Sequence, residues 1–233
     1  MNSPSSPPRA AQGAVIVITG ATGALGSKTA HAFAAQGHSL VLLDNDQAKL
    51  DSLARDLNLS AERIFSSVID LRDGQAVRTT AEAVAARFGR VHALIHLVGG
   101  WTGGKTLAEV NPDELTSMLA QHVWTTFNLF QAFSPLLIKS KRGRVITVSP
   151  STVSNPPVKR GVYTAAKAAQ ENLMLTLAAE LKEHGVTANI IQVYAIDVEN
   201  TGKGTTPAEI VAAMMYLFSD EASKMSGARF PLY

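Results

Sequence analysis

Short apolar runs rich in β-branched residues alternate along this chain with longer stretches in which apolar and polar positions recur at helical spacing. AVIVITG (residues 14–20) reads as a strand buried on both faces. An Ala-rich helix follows, ending near Gln36 with Gly37 placed as its C-cap. SLVLLD, ending at Asp44, predicts a second strand; a helix through about Leu57 and a third strand, RIFSSVIDL (63–71), come next. A helix over about 74–88 leads to the strand VHALIHLV (91–98). A long helix then begins at NPDEL, where Asn111 can act as N-cap, Pro112 takes the first helical position, and Asp113 and Glu114 suit the helix dipole. Pro135 is expected to kink or end it. The strand GRVITVS (143–149), a helix carrying Tyr163, the strand TANIIQV (187–193), a helix over about 207–218 and a short strand near 228–232 complete the chain.

Strict alternation of this kind predicts an α/β fold in one domain over 14–233: a doubly wound parallel sheet of about seven strands with helices on both faces. Ligands in such sheets bind beyond the carboxyl ends of the strands, where the strand order reverses. The opening MNSPSSPPRAAQG (1–13) has no apolar core of the kind a signal peptide needs, and its Pro and Ser content predicts a disordered tail.

Composition narrows the function classes. The 233 residues carry 21 basic and 19 acidic side chains, a formal charge of +2 with no basic run, so nucleic acid is not an implied partner. Without cysteine, neither a disulfide frame nor a thiolate metal site can form, which fits a cytoplasmic enzyme or binding protein. The six histidines show no ligand spacing, so no metal is expected, and no apolar run reaches the roughly 20 residues that span a bilayer.

TGATGALG (19–26) sits between the first strand and the first helix, where glycines permit a tight turn and the helix N-terminus offers free N–H groups to a pyrophosphate. Asp44 lies 18 residues after Gly26 (44 − 26), close to the spacing at which a carboxylate meets an adenosine ribose. It would accept from the ribose hydroxyls and repel a 2′-phosphate, with no Arg or Lys at positions 45 or 46 to offset it, so NAD(H) is favoured over NADP(H). Asp70 suits either the adenine amino group or a helix cap. Tyr163 and Lys167 stand four residues apart and so share a helical face. A phenol beside an ammonium has its pKa drawn down from about 10 and suits proton transfer to a carbonyl oxygen.

The glycine turn, Asp44, the IDL at 69–71 and above all VYTAAKAA after a serine-containing loop resemble the short-chain dehydrogenase/reductase family across nearly the whole chain. The resemblance implies a Rossmann-type domain and hydride transfer between a nicotinamide and a small carbonyl or alcohol. Tyr163 is then the acid or base, and Lys167 holds the nicotinamide ribose. The cofactor-binding positions it implies are Gly20, Thr22, Gly23, Ala24, Leu25, Gly26, Asp44, Asp70, Leu71, Val98, Gly99, Tyr163, Lys167 and Ile196. It also implies a homodimer or homotetramer through helices over roughly 113–136 and 162–183.

Departures from the family pattern concentrate near the chemistry. Ala24 replaces a glycine, and His96, Leu97, Val98 and Gly99 replace Asn-Asn-Ala-Gly. His122 stands for the asparagine of the proton relay, with an ordinary pKa near 6.5 that suits such a relay. Val193 and Tyr194 replace Pro-Gly. The usual serine falls on Pro150, so either a one-residue shift brings Ser149 or Ser151 into place or the reaction proceeds without that donor. LVGGWTGG (97–104), HVWTT (122–126) and GALGS (23–27) locally resemble dihydropteridine reductase, which implies that Trp101 stacks on a flat substrate such as a pterin. The remaining polar loop before Pro207 is short and predicts a site that is open or closed by another subunit. Pro150, His122 and that loop keep a second reading open: a catalytically impaired dinucleotide-binding sensor or assembly protein.

Overall fold

The computed structural model describes residues 13–233; the tail expected over 1–13 lies, apart from Gly13, outside the described residues. Seven strands form one sheet: β1 (Val15–Thr19), β2 (Ser39–Asp44), β3 (Ile64–Val68), β4 (Ala93–His96), β5 (Arg144–Pro150), β6 (Thr187–Val193) and β7 (Arg229–Pro231). Every pairing is parallel, in the order β3-β2-β1-β4-β5-β6-β7. The order reverses between β1 and β4, so the carboxyl ends of these two strands frame the crevice that a doubly wound sheet offers a ligand.

Seven α-helices cover the sheet: α1 (Ala24–Ala35), α2 (Gln47–Leu57), α3 (Gly74–Phe88), α4 (Pro112–Leu119), α5 (Thr125–Lys139), α6 (Gly161–Glu180) and α7 (Pro207–Phe218). Because the strands are buried on both faces, their side chains alternate between two cores. Val15, Val17 and Val145 pack with Val77 of α3, Phe133 of α5 and Leu177 of α6. On the opposite face Ile16, Ile18 and Ile146 pack with Phe33 of α1, Leu50 of α2 and Met214 of α7. The expected Rossmann-type architecture is therefore present, helices on both faces included.

Local signals fixed most of the ends. Asn111 caps α4 by accepting from the Asp113 N–H, with Pro112 at the first position, and Gly37 adopts a positive φ just past α1. The cap of α3 is Asp73, which accepts from Gln75 and Ala76, rather than Asp70.

The long helix from Asn111 departs from expectation. Pro135 does not end it: α5 runs through to Lys139. The missing N–H costs about 3 kcal/mol, but Phe133, Leu136 and Leu137 are all buried on this stretch, at about 1.5–3 kcal/mol each. Continuing the helix therefore wins. The interruption falls earlier, where Ala120–Trp124 form a π-helical turn between α4 and α5. One added residue there changes the phase of every side chain that follows. Thr125 and Thr126 donate their hydroxyls back to the carbonyls of Gln121 and His122, the kind of bond that bends a helix.

Candidate active site

Two adjoining clefts open at the carboxyl ends of the strands and share Gly20, Gly23, Val98 and Gly99 as walls. Gly20 turns the chain out of β1 at φ +64°, in the left-handed region. Gly26 lets α1 start hard against that turn, since a Cβ there would stand 2.1 Å from the Gly20 carbonyl oxygen. Gly20, Gly23 and Gly26 thus bring bare backbone at the N-terminus of α1 to the cleft, a cradle suited to a pyrophosphate.

The first cleft, about 430 Å³, takes in Gly20, Gly23, Ala24, Leu25, Gly26, Val98, Gly99, Trp101, His122, Ser149, Tyr163, Lys167 and Ile196 of the expected site. The second, about 600 Å³, takes in Thr22, Asp44, Asp70 and Leu71. Ser151 is the exception: it starts a 3₁₀ turn (Ser151–Val153) and lies outside both linings. β5 extends to Pro150, in register with Val193 of β6, and this leaves the Ser149 hydroxyl, buried and without a hydrogen-bond partner, on the cleft wall.

In the second cleft the Asp44 carboxylate accepts from the Thr22 N–H at 2.9 Å, the Thr22 hydroxyl at 2.8 Å and the Asn45 N–H at 2.8 Å. Asp70 is gripped by the Arg72 guanidinium, which holds its carboxyl below the ordinary range. Arg72 and Lys49 line this cleft too, and sequence spacing gave no sign of it. Lys49 comes from the first turn of α2 and pairs with Asp46 at 3.1 Å; Arg72 enters from the loop after β3.

Tyr163 and Lys167 share a face of α6, but not the electrostatics expected of them. Burial pushes the Tyr163 phenol above its ordinary value, with the Arg160 charge opposing, so the expected depression by Lys167 is absent. The Lys167 ammonium donates to the Val148 carbonyl at 2.9 Å and to Gln170 Oε1 at 2.8 Å. Burial draws Lys167 itself down to about 8, with Glu171 resisting.

His122 also differs from the relay expected of it. Burial, with the Lys167 charge second, holds it at about 4, so it is neutral at physiological pH. Its Nε2 meets the Gly100 carbonyl at 2.9 Å, and only a protonated nitrogen can donate there. Nδ1 is left as a buried acceptor without a partner. The ring packs edge-on against Tyr163 at 5.7 Å and so closely under Gly99 that a Cβ there would lie 2.3 Å from Cε1.

Several cleft residues escaped the sequence reading as site members, among them His96, Pro150, Tyr194 and Val198. His96 is buried and held to about 3 by desolvation, with Lys167 and His122 adding to it. Its Nδ1 lies 2.8 Å from the Thr19 hydroxyl. The loop after β6 is pinned by Asp197, whose carboxylate accepts from the N–H groups of Thr201 and Gly202. It folds on itself and leaves Trp101 and Tyr194 exposed at the mouth, at 59% and 64%.

Four buried histidines give the fold a pH limit. His96 is held at about 3 and His38, His92 and His122 at about 4, mainly by desolvation, whereas an unfolded chain protonates them near 6.5. Their contribution is complete above about pH 6.5 and is lost as pH falls towards 4, by up to about 1.4 kcal/mol per unit for each group. Urea midpoints at pH 7.5, 6 and 5 are expected to fall in that order. A constant midpoint would show that the folded protein takes up these protons freely.

Among the described residues no helix is long and apolar enough to cross a membrane. The family model for short chain dehydrogenases matches residues 14–208. An uncharacterised oxidoreductase of Escherichia coli K12, YciK, is 27% identical over 93% of this chain and 90% of its own. A short chain dehydrogenase structure from Pseudomonas syringae is 28% identical, with a TM-score of 0.88 over 99% of both chains. Another, from Escherichia coli CFT073 in complex with NADPH, is 26% identical, with a TM-score of 0.85 over 97% of this chain and 99% of that one.

Proposed function

The chain belongs to the short-chain dehydrogenase family, and from that premise we propose that it is an NAD(H)-dependent oxidoreductase acting between a nicotinamide and a carbonyl, an alcohol or a planar, pterin-like small molecule. One observation carries the reading: a phenol, an unpartnered hydroxyl and an ammonium, from Tyr163, Ser149 and Lys167, line one cleft with the glycine turn. The bare backbone at Gly20 and Gly26 and the dipole of α1 fit a dinucleotide.

When bound, the nicotinamide supplies or accepts the hydride. In the reducing direction Tyr163, kept protonated by its burial, gives its proton to the carbonyl oxygen as negative charge develops there. The Ser149 hydroxyl, with no partner of its own, donates to the same oxygen. Lys167 holds the nicotinamide ribose.

NADH is preferred to NADPH because Asp44 ends β2 facing the second cleft. A carboxylate offers about four acceptor sites; Thr22 and Asn45 use three, and a 2′-phosphate would meet its negative charge. Lys49 and Arg72 oppose this, but each is already paired with an aspartate. Calorimetry is expected to give NADH at least about tenfold tighter than NADPH, a difference of about 1.4 kcal/mol, and Asp44→Ala to narrow the gap. Tighter NADPH binding by the native protein overturns the preference; binding of neither overturns the enzyme.

For the substrate, the cleft offers apolar and aromatic surface, with Lys167 its one ionisable amine. Trp101 and Tyr194 suit a flat, uncharged molecule. Absence of NADH oxidation with quinonoid dihydropterin would remove the pterin and leave other planar carbonyl compounds. Pro150 favours a second reading, a dinucleotide-binding sensor or assembly protein with impaired catalysis; turnover with any member of a carbonyl panel excludes it. We place the protein in the cytoplasm as a homodimer or homotetramer. Trp124 and Phe127, exposed and edge-to-face at 6.0 Å beside the π-turn, support that assembly.

A further inference from the structure

We propose that Gln170 is a positioning residue of this site: its amide fixes the Lys167 ammonium and ties it to the π-helical turn that carries His122. The proposal rests on the reading of Lys167 as the group that holds the nicotinamide ribose. Gln170 lies three residues beyond Lys167 on α6, on the same face, and is fully buried. Its Oε1 accepts from Lys167 Nζ at 2.8 Å, and its Nε2 donates to the Thr126 hydroxyl at 2.8 Å. Thr126, also fully buried, donates its hydroxyl hydrogen bond to the His122 carbonyl at 2.6 Å.

The chain has one direction only. An ammonium donates and cannot accept, so the amide oxygen must face Lys167 and the amide nitrogen must face Thr126. Turning the amide over would set two donors against each other in a dry site, at the full cost of two unmade hydrogen bonds. The ammonium has three N–H groups. Val148 and Gln170 take two of them, and the third is left for the cleft that Lys167 lines. Gln170 therefore sets the direction of the N–H that meets a ligand. Through Thr126 and His122, whose ring bonds Gly100, it also links that N–H to the loop on the opposite cleft wall. A leucine of similar size would fill the volume and do neither.

The charged groups around Lys167 let this role be separated from packing. Glu171, the next residue on α6, favours the ammonium, and it is itself paired with Arg229 of β7. His96 of β4 and His122 of the π-turn face it in neutral form, and Tyr163 and Arg160 lie along α6. None of these changes when Gln170 is replaced. Removing its oxygen withdraws an acceptor from the charged form of Lys167, and a carboxylate in its place strengthens the hold.

The test is a pH titration of Lys167 in the full chain labelled with [ε-¹³C]lysine, assigned with Lys167→Met, together with NADH affinity by calorimetry from pH 6 to 9. Gln170→Leu is expected to lower the Lys167 titration midpoint by about one pH unit or more and, through the smaller ammonium fraction, to weaken NADH binding about fivefold at pH 8, rising towards about tenfold at pH 9. Gln170→Glu is expected to move the midpoint the other way. A purely structural glutamine would cost both variants thermal stability and leave the two midpoints unmoved or shifted together, and either result overturns the proposal. If Gln170→Leu does not fold, Gln170→Met takes its place with the same expectation. Failure of the native protein to bind NADH would overturn the cofactor reading, while the carbon shifts would still decide whether Gln170 holds Lys167.

Discussion

Tyr163→Phe is expected to lower kcat/KM for any accepted carbonyl substrate by about 10²- to 10⁴-fold and to leave NADH affinity within about twofold, since the ring is kept and only the hydroxyl is lost. The phenol edge meets His122, whose neutral ring offers no replacement proton at physiological pH, and Lys167 spends two of its three N–H groups on Val148 and Gln170. Ser149→Ala should cost about 10²-fold, as the loss of one donor to a developing oxyanion does, and Ser151→Ala should cost nothing measurable, because Ser151 lies outside the cleft. Steady-state rates of the three variants with one substrate decide the matter. Full turnover by Tyr163→Phe would falsify the assignment of the proton donor, and an effect of Ser151→Ala in place of Ser149→Ala would reverse the choice of hydroxyl.

Gly26→Ala carries the largest expected effect on cofactor binding. The added Cβ would sit 2.1 Å from the Gly20 carbonyl oxygen and 2.9 Å from the Ala21 backbone, and neither obstacle is a side chain able to swing aside. Either the turn opens or α1 moves outward, at about 1–3 kcal/mol of overpacking, and the N–H groups leave the cradle together. NADH affinity should fall by at least about 10²-fold, near 2.7 kcal/mol, with a lowered urea midpoint. Gly23→Ala separates the two effects. Its φ of −66° is open to any residue and its Cβ would reach the Gly20 oxygen only at 3.4 Å, so stability should hold while affinity falls by the loss of close approach. Calorimetry and urea unfolding on both variants test this; unchanged NADH affinity in Gly26→Ala would show that the cofactor does not lie on the turn.

Part of the site was legible because its signals are local. The glycine turn follows β1 directly, Asp44 ends β2, and Tyr163 and Lys167 are one helical turn apart, so periodicity alone brings each to the right end of the sheet. Asp70, just past β3, reaches the second cleft for the same reason, whereas Trp101 was singled out only through the local resemblance of its loop. The hydroxyl at the site was ambiguous because the choice between Ser149 and Ser151 depends on where β5 ends, and that is decided by its register against Val193 some forty residues away. His122 was visible as a residue but not as a neutral one, since its pKa is set by burial under Gly99 and by Lys167 from another helix. Arg72 was missed in the second cleft because it arrives on the loop after β3, far from Asp44 in sequence, and Lys49, although close to Asp44, because nothing in its spacing sets it apart from other helix-surface lysines.

The sequence by itself determined the alternation of buried strands and covering helices, the glycine turn with its acidic partner, and the shared face of Tyr163 and Lys167, because each follows from contacts within a few residues. Tertiary structure alone decided the protonation of Tyr163 and His122, the choice of Ser149, the π-turn that aims His122, and the hold of Gln170 on Lys167. Those depend on desolvation and on hydrogen bonds between segments far apart in the chain, and no local pattern of residues encodes what will exclude water from a side chain or which distant acceptor will meet it.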